Sequence, residues 1–258
     1  MKSCINCQTL LQGPFCHACG QKAQIPRITV KNTIHKLFES ITNVEKGFWH
    51  TFLRLFSKPA EVIKGFIGGN TKRYYNPIRY FLIWVGLSTL IMITLGVYDN
   101  QTSSMNDLMG ISDDPEQLKR QLALQKQIKK FLNFIPLFQI PFLSLISFWL
   151  FRKHGFNYAE HLTKYCYLFA QVSIIGIPLT LTYYFVPSLV PFAVLIGLSL
   201  SAIYFAYVFK PLYQLNWLPA IGSGLLVSFG GMLFMFLSIS IIGILLVIIL
   251  ALASRLFF

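Results

Sequence analysis

Long apolar runs alternate with shorter polar connections over the second two-thirds of the chain. The runs lie near residues 79–97, 131–151, 166–186, 189–209 and 220–257. A helix of about 20 apolar residues crosses roughly 30 Å of hydrocarbon, so each run predicts a membrane span. The pattern predicts an all-α polytopic membrane protein whose transmembrane helical domain covers residues 79–258.

The last apolar stretch, Trp217 to Phe257, is longer than one crossing requires. As a single helix it would extend about 61 Å, roughly twice the thickness of the hydrocarbon core. It can begin as an interfacial helix and continue into one long span, or it can turn back in a tight hairpin at Gly230-Gly231 or near Ser238. We predict five spans, with six as the alternative.

Residues 25–78 follow another pattern, in which apolar residues recur at helical spacing among basic ones. The apolar positions are Ile34, Leu37, Phe38, Ile41, Phe48, Phe52, Leu55, Phe56, Val62, Ile63 and Phe66. The spacing predicts amphipathic helices, broken at Pro59 and at Gly68-Gly69. Basic amphipathic helices before a span are typical of the membrane interface. Nucleic acid is the weaker interpretation of this charge, because the aromatic residues follow the helical period instead of decorating a strand surface.

The composition supports a membrane protein and indicates its orientation. The chain is 55% hydrophobic and 12% charged, whereas about a quarter of an ordinary soluble domain is charged. The formal net charge is +13, and twelve of the 22 Lys and Arg residues lie at or before Arg79. Basic residues collect on the cytoplasmic side of membranes, and residues 1–30 lack the pattern of a secretory signal. We therefore expect a multi-pass protein of the inner membrane with its N-terminus in the cytoplasm.

Four cysteines near the start of the chain form two C-x-x-C pairs, Cys4 with Cys7 and Cys16 with Cys19. Each C-x-x-C turn presents two thiolates, and two such turns complete the tetrahedral ligand set of zinc. A segment of about 20 residues is too small for a hydrophobic core, so a bound metal must supply its folding energy. The spacing predicts a structural zinc ribbon over residues 1–24.

Three other interpretations of these cysteines remain open: an iron–sulfur cluster, a pair of disulfides and a redox dithiol. Disulfides would require export and a redox C-x-x-C would require a surrounding βαβ pattern, and the sequence shows neither signal. Four thiolates leave no open coordination position, so the predicted zinc is structural and not catalytic.

Basic and aromatic residues cluster at the start of the first span. The cluster consists of Lys72, Arg73, Tyr75 and Arg79. Such residues form the anchor that flanks most membrane helices. Because arginine can also hold phosphate through two hydrogen bonds, the same cluster is a candidate contact for a lipid headgroup or a partner protein.

A second polar candidate lies before the third span, where Glu160 and His161 mark the predicted cytoplasmic edge. Adjacent residues of a helix face different directions, so an acid–base or metal site built by this pair is less favoured than an ion pair between Glu160 and Lys164. Three amide side chains lie at predicted membrane depth: Asn133, Gln139 and Gln171. These amides suit interhelical hydrogen bonds.

Three blocks of sequence resemble an uncharacterised bacterial family. They are the N-terminal CINC…FCHACGQK, the block KPAEVIKGFIGGNTKRYYNPIRYF before the first span, and FNYAEHL before the third. Together they are similar to the DUF3667-like family, a zinc ribbon fused to a multi-pass membrane domain. The order of the helices also has a general likeness to Yip-type membrane proteins. The resemblance implies an architecture and a membrane location, and it implies no reaction.

The sequence indicates a protein that is not an enzyme, because it offers no nucleophile with a base, no phosphate-binding loop and no open metal site. We expect an adaptor or assembly factor that lies in the lipid bilayer and contacts a cytoplasmic protein through the ribbon. The alternative is a transporter or lipid-handling protein whose helices carry the activity while the ribbon regulates it. No oligomeric state follows from the sequence.

Overall fold

The computed structural model describes residues 3–24, 47–108, 115–131 and 134–257. The chain forms nine α-helices in these ranges: α1 Phe48–Ser57, α2 Pro59–Ile67, α3 Pro77–Thr94, α4 Val97–Leu108, α5 Pro115–Phe131, α6 Ile135–Leu150, α7 Tyr158–Phe185, α8 Ala193–Tyr213 and α9 Trp217–Phe257. The expected all-α architecture is confirmed. The amphipathic positions from Ile34 to Ile41 and the amide of Asn133 lie outside the described residues.

Four segments are long and apolar enough to cross a membrane: Pro77–Thr94, Tyr158–Phe185, Pro187–Tyr213 and Trp217–Leu237. A fifth crossing results if α5 and α6, which meet at a bend of 76°, count as one span. The expected polytopic protein is therefore confirmed with four or five candidate spans. Helix α6 alone has 16 residues and is about 24 Å long, shorter than the hydrocarbon core.

The long helices α3, α6, α7, α8 and α9 pack as a bundle with alternating directions. Tyr80 near the start of α3 donates a hydrogen bond to Gln171 of α7 (3.1 Å). Tyr213 at the end of α8 lies 2.9 Å from the Nζ atom of Lys164 near the start of α7. The starts of α3, α7 and α9 and the ends of α6 and α8 therefore share one end of the bundle, which we call the capped end because α1 and α2 cover it.

Tyrosines of α8 fasten α1 to the capped end. The Tyr207 hydroxyl donates hydrogen bonds to the carbonyl oxygens of Phe56 (3.0 Å) and Ser57 (2.8 Å). The Tyr204 hydroxyl donates to the carbonyl oxygen of Leu55 (3.2 Å). These carbonyls belong to the last turn of α1, where no helical N–H group reaches them. Membrane helices thus complete the backbone hydrogen bonding of the cap.

Helix α1 carries apolar side chains on its inner and outer faces. Phe48 and Phe52 stack against Trp84 of α3, whereas Trp49 and Leu53 are exposed. An exposed apolar face next to a spanning helix suits an amphipathic helix that is partly embedded in the headgroup region.

Helix α7 begins before its predicted start at residue 166. Asn157 Oδ1 accepts a hydrogen bond from the Glu160 N–H (2.9 Å), and Glu160 Oε2 accepts one from the Asn157 N–H (2.7 Å). This reciprocal capping box starts the helix at Tyr158. As a result Glu160, His161 and Lys164 lie inside the helix, and all three are buried.

Helix α9 is continuous over Trp217–Phe257, so the six-span alternative with a hairpin at Gly230-Gly231 is wrong. The glycines of this helix serve packing instead. A Cβ atom at Gly231 would meet α6 side chains at 3.1 Å, and one at Gly224 would lie 2.6 Å from the carbonyl oxygen of Ala202 in α8. Small residues let membrane helices approach closely, and here they bring α9 against both neighbours.

We predict that Gly224→Ala destabilises the bundle by about 1–3 kcal/mol, because the added methyl group forces α8 and α9 apart. The measurement is thermal unfolding of the detergent-purified protein. Gly222→Ala is the matched control, since a Cβ atom at Gly222 meets nothing within 4 Å. Equal unfolding temperatures for the two variants would contradict the close approach of the two helices.

Candidate metal site and buried polar cluster

Each C-x-x-C pair folds into a tight turn, and the two turns have the same backbone geometry. The carbonyl oxygen of Cys4 accepts a hydrogen bond from the Gln8 N–H (2.9 Å), and that of Cys16 accepts one from the Gly20 N–H (2.8 Å). Gln8 and Gly20 both have positive φ angles, of 60° and 70°. Gly20 adopts this conformation without strain, whereas a side chain at Gln8 makes it unfavourable by roughly 1–2 kcal/mol.

The two turns bring the four thiols together. The Sγ atoms of Cys4, Cys7, Cys16 and Cys19 all lie within 4.8 Å of one another. Cys4 Sγ is 3.5 Å from Cys19 Sγ, and Cys7 Sγ is 3.5 Å from Cys16 Sγ; all four cysteines are free thiols. A tetrahedral ion with metal–sulfur bonds of about 2.3 Å holds its ligands about 3.8 Å apart. The cluster fits a closed four-sulfur metal site.

The surroundings of Cys4 and Cys7 favour the thiolate form that binds metals, whereas burial and the neighbouring Cys7 and Cys19 side chains raise the pKa of Cys16 to about 11. The Thr9 hydroxyl, 3.2 Å from Cys7 Sγ, and the Thr9 backbone N–H lower the pKa of Cys7 to about 6. The backbone N–H of Cys7 lowers the pKa of Cys4 in the same way. Hydrogen bonds to a charged group stabilise that charge.

One side chain of this N-terminal module joins it to the rest of the chain. The Gln21 amide is 1% exposed, and its Nε2 donates a hydrogen bond to the carbonyl oxygen of Gly69 (2.9 Å). Its Oε1 accepts one from the backbone N–H of Lys72 (3.2 Å). The module therefore rests on the turn between α2 and α3, which we call the docking turn (residues 68–72).

The docking turn leads into a network of charged side chains on the cap. Glu61 lies 3.6 Å from Arg54 and 3.7 Å from Arg73, and it accepts a hydrogen bond from the Tyr74 hydroxyl (3.2 Å). Arg73 Nε donates to His50 Nε2 (3.2 Å). Burial and the Arg73 guanidinium lower the pKa of His50, so the neutral imidazole accepts this bond.

The candidate headgroup or partner residues occupy different environments. Lys72 and Arg73 are exposed, Arg79 is half-buried, and Tyr75 is buried at the cap. The backbone N–H of Tyr75 donates to the Thr51 hydroxyl (2.8 Å), and its carbonyl oxygen accepts from the Tyr167 hydroxyl of α7. Tyr75 therefore joins the cap to the bundle, and a headgroup contact by Lys72 and Arg73 stays a prediction.

Lys164 forms a buried polar cluster that the sequence reasoning missed. Its side chain is fully enclosed, and Nζ lies 2.5 Å from Ser147 Oγ, 2.9 Å from Tyr213 Oη and 3.1 Å from His161 Nδ1. Four aromatic rings surround it at 4.5–5.6 Å: Phe151, Tyr165, Phe209 and Tyr213. The Lys164 amino group thus connects α6, α7 and α8 through hydrogen bonds and contacts with aromatic rings.

Glu160 and His161 face different neighbours. Glu160 caps α7, whereas His161 Nδ1 is 2.9 Å from Ser147 Oγ. The predicted ion pair between Glu160 and Lys164 is wrong, because Lys164 turns toward α6 and α8 instead. The pattern Asn157-x-x-Glu160 is a capping signal, and it could have shown that these residues belong to the helix.

Comparison with known families supports the expected resemblance. Residues 45–89 match the sequence model of a family described as a protein of unknown function, DUF3667. The matched segment contains α1, α2, the docking turn and the first part of α3. Comparison with curated proteins and with solved structures found no match, and no comparison shows the general Yip-type likeness.

We predict that Gly20→Ala weakens metal binding roughly tenfold, since the added Cβ atom disfavours the positive φ angle that closes the turn. Gln8→Gly should strengthen binding, because it removes the corresponding strain. The measurement is competition between the detergent-purified protein and a chelator for added Zn²⁺. Gly13→Ala is the control, since Gly13 has neither a positive φ angle nor a neighbour within 4 Å of an added Cβ. Equal affinities for all three variants would contradict this account.

We predict that Tyr213→Phe costs about 1–3 kcal/mol of stability, because it removes the hydroxyl that accepts a hydrogen bond from the buried Lys164 amino group. The same substitution should cost much less in a Lys164→Met background, where an apolar side chain fills the aromatic surroundings. Denaturation of the four proteins in detergent measures the coupling between the two residues. A cost that is the same in both backgrounds would show that the hydrogen bond to Lys164 does not contribute.

Proposed function

We propose that this protein is a non-enzymatic adaptor or assembly factor of the inner membrane, in which a zinc ribbon contacts a cytoplasmic protein. The observation that carries the proposal is the position of Gln21. Its two hydrogen bonds hold the four-cysteine module against the docking turn. A module fixed in this way presents its outer surface at a constant position relative to the membrane helices.

The chemistry of the four ligands supports zinc as a structural ion. Four thiolates form a closed tetrahedral site with no position for water or substrate. The residues that would hold zinc are Cys4, Cys7, Cys16 and Cys19, and their sulfur atoms lie at the distances that such a site requires. When bound, the ion would supply the folding energy of a module that has almost no apolar core.

The distribution of basic residues supports a cytoplasmic N-terminus. Lys64 of α2 donates a hydrogen bond to the carbonyl oxygen of Pro211 in α8 (3.4 Å), which places the end of α8 beside the cap. Lys210 lies at this end as well, and so does the turn that carries Arg152 and Lys153. Because basic residues collect on the cytoplasmic side, the capped end and the ribbon would face the cytoplasm.

The outer surface of the ribbon suits a protein contact. Ile5, Leu10 and Phe15 are all more than half exposed on a module of about twenty residues. Apolar and aromatic side chains of this kind form the centre of many protein interfaces.

The test places a photo-crosslinking amino acid at position 15 and compares three proteins in native membranes. We expect the parent to give a crosslinked partner and to retain one Zn²⁺ per chain. Replacement of Cys16 and Cys19 by Ser should abolish both while the bundle stays folded. Cys166→Ala is the control, since Cys166 is buried in α7 away from the ribbon. Zinc loss with the partner retained would move the function into the membrane helices.

A second candidate function is transport or lipid handling by the bundle, with the ribbon as a regulator. The observation that favours it is Lys164, because an ionisable residue in a membrane helix frequently marks a pathway or relay. Under this alternative, Gln139→Leu or Gln171→Leu should impair function more than loss of the ribbon does. If growth or partner assays show that loss of the ribbon impairs function more than Gln139→Leu or Gln171→Leu does, the result supports the adaptor.

A further inference from the structure

A groove of about 710 Å³ opens between α6 and α9 near the capped end. Its lining consists of Leu145, Ile146, Trp149, Leu150, Arg152 and Leu226. The apolar members belong to a spanning helix or to the paired helix α6. From Leu145 to Arg152 the groove follows the helix axis for about 10 Å, the distance from the headgroup level into the first part of the acyl chains.

The groove faces the bilayer. Trp149 is 75% exposed, and the side chains of Leu145, Leu150 and Leu226 are also exposed. Exposed apolar side chains on membrane helices contact lipid, and tryptophan is enriched at the level where headgroups meet acyl chains. The shape and depth of the groove therefore suit a lipid molecule.

The polar end of the groove has an available positive charge. Arg152 follows α6 in a 3-10 turn and is exposed. Among the described residues it forms no ion pair, in contrast to Arg54 and Arg73, which share the Glu61 carboxylate. A free guanidinium binds a phosphate group through two parallel hydrogen bonds. The neighbouring Lys153 adds a second positive charge that would repel the cationic headgroup of a zwitterionic lipid.

We propose that this groove binds one anionic phospholipid of the bilayer. Arg152 holds the phosphate, Trp149 lies beside the glycerol, and one acyl chain follows Leu145, Ile146 and Leu226. The contact would fix a lipid of the headgroup layer between α6 and α9. These helices also meet at Gly230-Gly231 and through the stacked rings of Phe142 and Phe234. This inference is independent of the proposed function of the ribbon.

The test is native mass spectrometry of the full-length protein in detergent with added phosphatidylglycerol and, separately, phosphatidylcholine. We expect the parent to bind phosphatidylglycerol in preference. Arg152→Gln should weaken this binding roughly tenfold, the effect of losing one charged hydrogen-bonding partner. Lys153→Gln is the matched control: it removes the same charge beside the groove but does not line it, and it should leave most of the affinity. Equal losses for the two variants would mean general attraction to a basic surface and would overturn the proposal.

Leu226→Trp tests the apolar half of the site, because it fills the groove while Arg152 stays in place. We expect it to reduce phosphatidylglycerol binding with an unchanged unfolding temperature. If this variant is unstable, glycerol phosphate without acyl chains is the second probe for the parent protein. Displacement of the lipid by glycerol phosphate at similar concentration would overturn the lipid assignment, whereas failure to displace it supports a site that needs the acyl chain.

Discussion

A polar group that lies away from water is costly unless it is hydrogen-bonded within the protein, and this cost accounts for the most informative contacts of the structure. The buried carbonyl oxygen of Leu55 in the last turn of α1 accepts a hydrogen bond from Tyr204 of α8, and Tyr207 adds bonds to the more exposed carbonyls of Phe56 and Ser57. The Lys164 amino group is hydrogen-bonded by groups from three helices. The hydrogen bonds of the α1 carbonyls connect the cap to α8, and those of Lys164 connect α6, α7 and α8. The hydrogen-bonding requirement therefore determines how the cap and the bundle are assembled.

Much of the fold could be predicted from the sequence because apolar length and helical period are local properties. The breaks expected at Pro59 and at Gly68-Gly69 are the places where α1 gives way to α2 and where α2 ends. The errors have physical reasons. The capping box of Asn157 extends α7 beyond its apolar segment, and the glycines of α9, which resembled a turn signal, are there for helix contact.

The candidate site also has parts that the sequence predicts and parts that it does not. The cysteine spacing predicts the two turns, because each turn is built from neighbouring residues, and Gly20 has the positive φ angle that the pattern requires. Gln8 adopts the matching conformation although it carries a side chain. Gln21 bonds Gly69, which lies 48 positions further along the chain. Lys164 bonds Tyr213, which lies 49 positions further along and in another helix. Because these partners are distant in sequence, no local sequence pattern predicts the two contacts.

The side-chain amide of Gln21 bonds two main-chain groups of the docking turn, the carbonyl oxygen of Gly69 and the N–H of Lys72. Because the amide bonds one carbonyl oxygen and one N–H, its contact depends on the backbone conformation of the turn and not on which side chains the turn carries. The exposed residues of the turn can therefore diverge during evolution without disturbing the joint, provided that the turn keeps its conformation. The arrangement separates the residue that holds the two parts together from the residues that are free to adapt to different surroundings.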